Sequence, residues 1–162
     1  IVAAMREMPV PVFYLMGNDD VIALDVEDEQ IRFLHGKRIE WRDFNFVGYQ
    51  YTLPFVGRIF EKPEDEMERD LAEIEPLLDA RTVLVTHGPA HGALDTVFWS
   101  GEHVGSTSLA RMLERRPVLA HIHGHVHGCF SRDGGHFNVA SAGEKRAMLI
   151  ELPLLTHVEL HG

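Results

Sequence analysis

Four of the eleven histidines in this 162-residue chain alternate with single residues, at His121, His123, His125 and His127. Side chains two apart on an extended strand point to the same face, so this run would aim four imidazoles in one direction. Neutral imidazole is a common ligand of zinc, iron, manganese and nickel. Gly124 would let the backbone turn tightly just before His125. The run therefore predicts a metal site.

Two other segments carry groups that can bind cations, and each follows an apolar strand signal. Residues 86–89 (THGP) come after the apolar run 81–86, and residues 17–20 (GNDD) come after the run 10–16. Open α/β sheets place their ligands at the carboxyl ends of their strands, where His87 would lie. An asparagine oxygen can coordinate a cation without adding negative charge. Each segment alone is also ordinary turn chemistry.

In this order and spacing, GNDD, THGP and HGHVHG resemble three of the five motifs of the calcineurin-like metallophosphoesterase superfamily. The intervening chain, including residues 47–49, 52–55 and 103–106, is similar to the predicted phosphoesterase branch related to bacterial cyclic-nucleotide phosphodiesterases. The resemblance implies a single metallophosphoesterase domain over residues 1–162, which hydrolyses phosphomonoesters or phosphodiesters of a small substrate. It also implies a two-sheet β-sandwich flanked by helices, in four αββα layers.

Matched motif by motif, the resemblance assigns Asn18, His87 and His125 to one metal ion and His127 to a second. Two divalent ions are expected, with manganese favoured by the resemblance and iron, zinc or nickel equally compatible with the ligand types. In such centres the ions activate a water and stabilise the charge of the transition state. We expect His87 and Asp19 to be the catalytic residues.

Asp19 stands where the family often has a histidine that assists the leaving group. A carboxylate donates a proton only if its pKa is raised, and neighbouring cations act in the opposite direction. We assign substrate contact or orientation of His87 to His91 and His103 in the loop that follows. Tyr51, Thr52 and Phe55 are candidates for the pocket wall, with the core as the alternative, whereas His121 and His123 are not expected to be ligands.

The family's first two motifs, which supply an Asp, a His and a bridging Asp, have no matching positions in this sequence. We expect those ligands to precede Ile1, in about 40 or more further residues that include a strand–helix–strand unit of about 30. Without that portion the 162 residues would expose a strand edge beside residues 10–16. They would then hydrolyse phosphoesters weakly or not at all.

Alternating strand and helix signals predict a mixed α/β (α+β) fold, with sheets covered by helices. Expected strands are 10–16, 81–86, 117–122, 135–141, 146–152 and 155–160. Residues 30–35, 37–42 and 44–51 resemble an antiparallel meander. One helix should begin near Pro63 and bury Met67, Leu71, Ile74 and Leu78, and a second should begin at Ser106 or Thr107 and end near Arg116.

Composition restricts the class of protein. Fifteen Lys and Arg against 25 Asp and Glu give a net charge of −10, so the surface would repel long nucleic acids. Cys129 is the only cysteine, which excludes an intrachain disulfide and a cysteine zinc cluster and fits a reducing cytoplasm. The first residues are interrupted by Arg6, Glu7 and prolines, so neither a signal peptide nor a membrane anchor is expected.

Two other classes of protein remain open. A metallo-β-lactamase-like or amidohydrolase enzyme also uses an H-x-H pair, but the first of these needs an Asp-His pair after it, where this chain has Gly128 and Cys129. Some proteins that resemble the phosphoesterases serve as scaffolds instead, and these lose their metal-binding histidines. This sequence keeps the three histidines that its motifs could hold, which favours the enzyme.

Overall fold

The computed structural model describes residues 1–141 and 143–162, which contain three α-helices and ten β-strands. The helices are α1 (Val2–Glu7), α2 (Glu64–Ile74) and α3 (Thr107–Arg115). The strands are β1 (Val12–Tyr14), β2 (Ile31–Phe33), β3 (Arg38–Trp41), β4 (Phe44–Tyr49), β5 (Thr82–Thr86), β6 (Ala120–His123), β7 (Ser131–Asp133), β8 (His136–Asn138), β9 (Arg146–Glu151) and β10 (Thr156–His161). Every helix among these residues is too short or too polar to traverse a bilayer.

A six-stranded mixed sheet forms the centre, in the order β3-β4-β5-β6-β8-β7. Its four inner strands, β4, β5, β6 and β8, run parallel, while β3 and β7 are antiparallel edge strands. The parallel strands all end at one edge, which brings the segments after Tyr49, Thr86, His123 and Asn138 together. The expected α/β fold is therefore confirmed in its general class, and this edge is where such sheets bind ligands.

The two faces of the sheet bury different layers. On one face, α2 and α3 pack against alternate residues of β4 and β5, including Val47, Tyr49 and Leu84. On the other face, Val83 and Phe137 contact Met148 and Ile150 of the antiparallel β9–β10 hairpin. The small parallel sheet β1–β2 has a core of its own around Tyr14, Met16, Ile31 and Phe60, against which Val2 and Met5 of α1 pack.

The two longer helices form for the reasons that the sequence suggests. Three acidic residues occupy the first turn of α2, where the positive end of the helix dipole favours them, and Pro76 falls in the single 3₁₀ turn that follows. Ser106 caps α3, because its hydroxyl accepts a hydrogen bond from the Leu109 N–H at 3.1 Å. Both helices place their apolar stripe on the sheet.

The expected antiparallel meander is wrong in its first strand. Strands β3 and β4 do form an antiparallel pair, but β2 pairs with β1 in parallel and belongs to a separate sheet. Gly36, with φ +67°, turns the chain after β2. Alternating polar and apolar residues indicate that a segment is a strand, but they do not indicate which strand it pairs with. The sequence therefore could not exclude this arrangement.

The four alternating histidines do not share one strand face, which corrects the expectation for that run. Strand β6 ends at His123, and His125 adopts a left-handed backbone with φ +66°. His127 then begins a 3₁₀ turn. The tight turn expected at Gly124 thus divides the run: His121 and His123 are buried on the sheet with ring centroids 4.9 Å apart, and His125 and His127 leave it.

Candidate functional site at the carboxyl edge of the sheet

A cavity of about 660 Å³ opens at the carboxyl edge of the parallel strands. The loop after β1 contributes Asn18 and Asp19 to its lining, the residue after β5 is His87, and the turn after β6 contributes His125 and His127. Its volume lies in the range typical of small-molecule sites, about 300 to 1,000 Å³. Three segments that are far apart in the sequence therefore meet at one opening.

Asn18, His87 and His125 converge on a single point. The Asn18 Oδ1 atom lies 2.8 Å from His87 Nε2 and 3.3 Å from His125 Nδ1, and the two imidazole centroids are 5.1 Å apart. One amide oxygen and two ring nitrogens thus face one another closely enough to bind the same small ligand. Asn18 is itself buried, and the two imidazoles are half-buried.

Local backbone geometry produces this convergence. A Cβ atom on Gly17 would lie 2.6 Å from the His87 ring, so only glycine lets the β1 loop approach that imidazole. The His87 carbonyl accepts a hydrogen bond from the Gly124 N–H at 3.0 Å, which joins the ends of β5 and β6. The left-handed backbone of His125 then returns its ring toward His87.

Both imidazoles are held in the neutral form that a metal ion requires. Burial, reinforced by the nearby His125, lowers the pKa of His87 to about 4, although the Asp19 charge opposes the shift. Burial also lowers the pKa of His125, against the opposing charge of Glu61. Near neutral pH both rings therefore have an unprotonated nitrogen available.

Glu61 connects the floor of the cavity to its rim. Its carboxylate accepts hydrogen bonds from the N–H groups of Phe55, Val56 and Gly57 at 2.8 to 3.2 Å. It also accepts one from the Asn18 amide nitrogen at 3.3 Å. The last contact orients Asn18, because an amide that donates to Glu61 must turn its oxygen toward the two imidazoles.

We expect the stabilisation contributed by Glu61 to depend on pH. Partial burial would raise the pKa of Glu61, but its backbone and Asn18 hydrogen bonds outweigh that effect and lower it from 4.5 to about 2. A carboxyl whose pKa is lower in the folded state stabilises the fold fully above its unfolded pKa and loses that contribution as the pH falls through the folded value.

Urea unfolding of wild type and Glu61→Gln at several pH values tests this expectation. The wild type should be the more stable protein above pH 4.5, and the two should converge as the pH approaches about 2. Glu73→Gln, which removes one exposed carboxylate of α2, is the matched control for the loss of a single negative charge. A Glu61→Gln difference that stays constant down to pH 2 contradicts the assignment.

The remaining predicted site residues fall into two groups. Asp19 and His127 line the cavity, and the Asp19 carboxylate is paired with the Arg58 guanidinium at 2.7 Å. His91 and His103 do not line it: His103 Nδ1 lies 2.6 Å from the buried carboxylate of Asp95, and the His91 and His103 ring centroids are 5.1 Å apart.

Of the three candidates for the pocket wall, Phe55 lines the cavity, and its ring meets that of His125 edge-on at 5.9 Å. Tyr51 and Thr52 do not line it. Tyr51 packs among His35, Tyr49 and Phe60 instead, so its alternative placement in the core holds. Thr52 is buried beside Gly88, and a Cβ atom added to Gly88 would lie 2.5 Å from the Thr52 hydroxyl oxygen.

The described residues supply only part of a metal-binding set. Among residues 1–141 and 143–162, no three His, Cys, Asp or Glu side chains come together in a way that could hold a metal ion. The convergence at the cavity floor depends on the amide of Asn18. An amide oxygen with two imidazole nitrogens is a donor set that suits manganese, iron, zinc or nickel, so the residues present fit one such ion as three of its ligands.

Sequence reasoning missed three residues that shape this cavity. Glu61 belongs to no sequence motif, because its role arises only when the loop of residues 55–57 folds back onto its carboxylate. Phe98 and Trp99 are 90% and 84% exposed and also line the cavity. Two adjacent aromatic residues followed by Ser-Gly were the available signal, since large apolar side chains in a turn segment have no core to fill.

Comparisons with known proteins identify the fold but not a family. No family model and no curated protein matches the sequence. One crystal structure matches 82% of this chain and 55% of its own length, with a TM-score of 0.66 and 21% identity. The crystal structure of TT1561 of Thermus thermophilus matches 82% and 60%, with a TM-score of 0.56 and 14% identity. The chain thus spans less than two thirds of either solved chain.

Proposed function

We propose that this protein is a metal-dependent phosphoesterase of the calcineurin-like type. The observation that carries the proposal is the convergence of Asn18, His87 and His125 on one point of the cavity, where the Asn18 oxygen lies 2.8 and 3.3 Å from the two ring nitrogens. These are the residues that the motif resemblance assigns to one metal ion, and they come from three separate segments. The α2–α3 layer on one face of the central sheet and the β9–β10 hairpin on the other support part of the four-layer sandwich that the resemblance implies.

The residues of this chain would bind the metal ions and orient the side chains that hold them. Asn18, His87 and His125 would hold one divalent ion as neutral donors, and His127 would face a second. When bound, such ions activate a water and stabilise the negative charge of phosphoryl transfer. Glu61 keeps the Asn18 oxygen directed at the imidazoles, and Val85, Val97 and Val126 contribute apolar side chains to the cavity wall.

Hydrolysis of bis-p-nitrophenyl phosphate tests the proposal directly. The protein expressed from its complete reading frame should release nitrophenol when manganese is present, lose the activity after chelation, and regain it when manganese is restored. Metal content per chain is measured on the same samples. Bound manganese without hydrolysis of any mono- or diester would contradict the enzymatic proposal.

A binding protein of the same fold is the second candidate. The absence of any cluster of three charged or thiol ligands in the described part of the chain favours it, because a scaffold does not need a complete metal centre. The two candidates differ in one measurement: a scaffold would neither retain metal through gel filtration nor hydrolyse the nitrophenyl substrate.

A further inference from the structure

Three aromatic side chains stand at the cavity instead of in the core. Phe55, Phe98 and Trp99 are 66%, 90% and 84% exposed, and all three line the same cavity as the convergent histidines. Every other Phe, Tyr or Trp side chain among the described residues is buried or half-buried. Single exposed apolar residues are common on protein surfaces, but three aromatic rings around one opening form a concentrated apolar surface.

Phe98 and Trp99 lie at the tip of a backbone hairpin that we call the aromatic arm, residues 95–104. Backbone hydrogen bonds of 2.8 to 3.1 Å join Val97 to Glu102 and Asp95 to Val104. At its base, the buried Asp95 carboxylate accepts from His103 at 2.6 Å and from the Gly105 N–H at 3.0 Å. The arm is therefore held by specific contacts.

The aromatic arm is also fixed against the turn that carries His127. The Cys129 thiol donates to the Thr96 carbonyl at 3.1 Å, and a Cβ on Gly128 would lie 3.7 Å from that of Phe98. Phe55 reaches the cavity from a different loop, which the Glu61 carboxylate holds. The aromatic rings thus come from two loops that are both tied down, so little backbone entropy would be lost when a ligand packs on them.

We propose that Phe55, Phe98 and Trp99 form an aromatic clamp that binds a flat ring in the organic part of the substrate. This inference rests on the proposed function, in which the phosphoryl group occupies the floor at Asn18, His87 and His125. The cavity then has a polar floor and an aromatic rim, which matches a small phosphoester that carries a planar group. A nucleobase and a simple aryl group share this chemistry.

A fluorescence titration tests the clamp without relying on hydrolysis. The chain has two tryptophans, and Trp41 lies away from the cavity, packed against Phe13 and Phe46. Trp41→Phe therefore leaves Trp99 as the sole reporter. The ligands are adenosine 5′-monophosphate, phenyl phosphate, ribose 5-phosphate and octyl phosphate, added to the full-length protein with manganese.

Adenosine monophosphate and phenyl phosphate should change the Trp99 emission saturably and bind about fivefold or more tightly than ribose 5-phosphate, because stacking on an aromatic residue contributes at least about that factor. Phe55→Ala and Phe98→Ala in the Trp41→Phe background should lower the affinity for the ringed ligands far more than the affinity for ribose 5-phosphate, so that most of the preference is lost. If adenosine monophosphate binds more tightly than phenyl phosphate, the preferred ring is a nucleobase. If phenyl phosphate binds more tightly, the preferred ring is a simple aryl group.

Three results would overturn the clamp: equal affinity for the ringed ligands and ribose 5-phosphate, stronger binding of octyl phosphate than of phenyl phosphate, or a Trp99 emission that follows protein concentration and not ligand. The last would show that a second copy covers the rings. The two proposals can fail independently. If the protein prefers ringed ligands but hydrolyses no ester, only the phosphoesterase proposal fails. If it hydrolyses ringed and ringless esters with equal kcat/KM, only the clamp fails.

Discussion

Replacing His125 by alanine should abolish tight binding of divalent metal and, with it, phosphoester hydrolysis. His125 supplies one of three atoms that meet at the cavity floor, with Nδ1 3.3 Å from the Asn18 oxygen. Changing a residue that only supports a metal ligand typically lowers metal affinity about 10 to 100-fold, so loss of a ligand itself should exceed that range. Competition with a chromogenic chelator measures the affinity, and nitrophenyl phosphate hydrolysis measures the activity.

The double variant His87→Ala, His125→Ala sharpens this test. If both imidazoles bind the same ion, the second substitution should add little to the first, because effects of residues that act as a unit are not additive. His161→Ala is the matched control, an exposed histidine on β10 outside the cavity, and should bind metal like wild type. Unchanged affinity in His125→Ala, or fully additive losses, would show that the two rings do not share an ion.

The rate of hydrolysis should fall steeply as the leaving group becomes less acidic. Asp19 occupies the position where a histidine acid is expected, and its carboxylate is paired with Arg58 at 2.7 Å. In this contact the Asp19 carboxylate accepts a hydrogen bond from the Arg58 guanidinium and donates none. General acid catalysis contributes about 10² to 10⁴-fold, so alkyl esters, which need protonation of the departing oxygen, should lose up to that factor relative to nitrophenyl esters.

Asp19→His should narrow the difference between nitrophenyl and alkyl esters by about tenfold or more, since an imidazole can donate a proton near neutral pH. Asp19→Asn is the matched control: it removes the same charge and the same pairing with Arg58 but cannot act as an acid, so the difference should persist. A wild-type rate that is independent of leaving-group pKa while chemistry is rate-limiting contradicts the prediction, as does an equal gain in the asparagine variant.

Local patterns in the sequence located most of the elements. The period of the apolar residues in α2, the Ser106 cap of α3 and the apolar run of β5 each depend on interactions within a few residues, which a sequence displays directly. Strand ends were less well determined. The expected strand over residues 10–16 is only Val12–Tyr14, the expected strand 117–122 is Ala120–His123, and β7 was not anticipated.

For the candidate site, the sequence alone determined the chemical type of the candidate ligands and their order along the chain. It identified Asn18, His87 and His125 as groups that can bind a cation and placed each after a strand. Tertiary structure decided which groups meet and how the alternating histidines divide at Gly124. It also decided that Glu61 orients Asn18 and that Phe98 and Trp99 line the cavity while His91 and His103 do not. The physical reason is that contacts between distant segments depend on sheet order and loop closure, and no local pattern of residues encodes the distance between two loops.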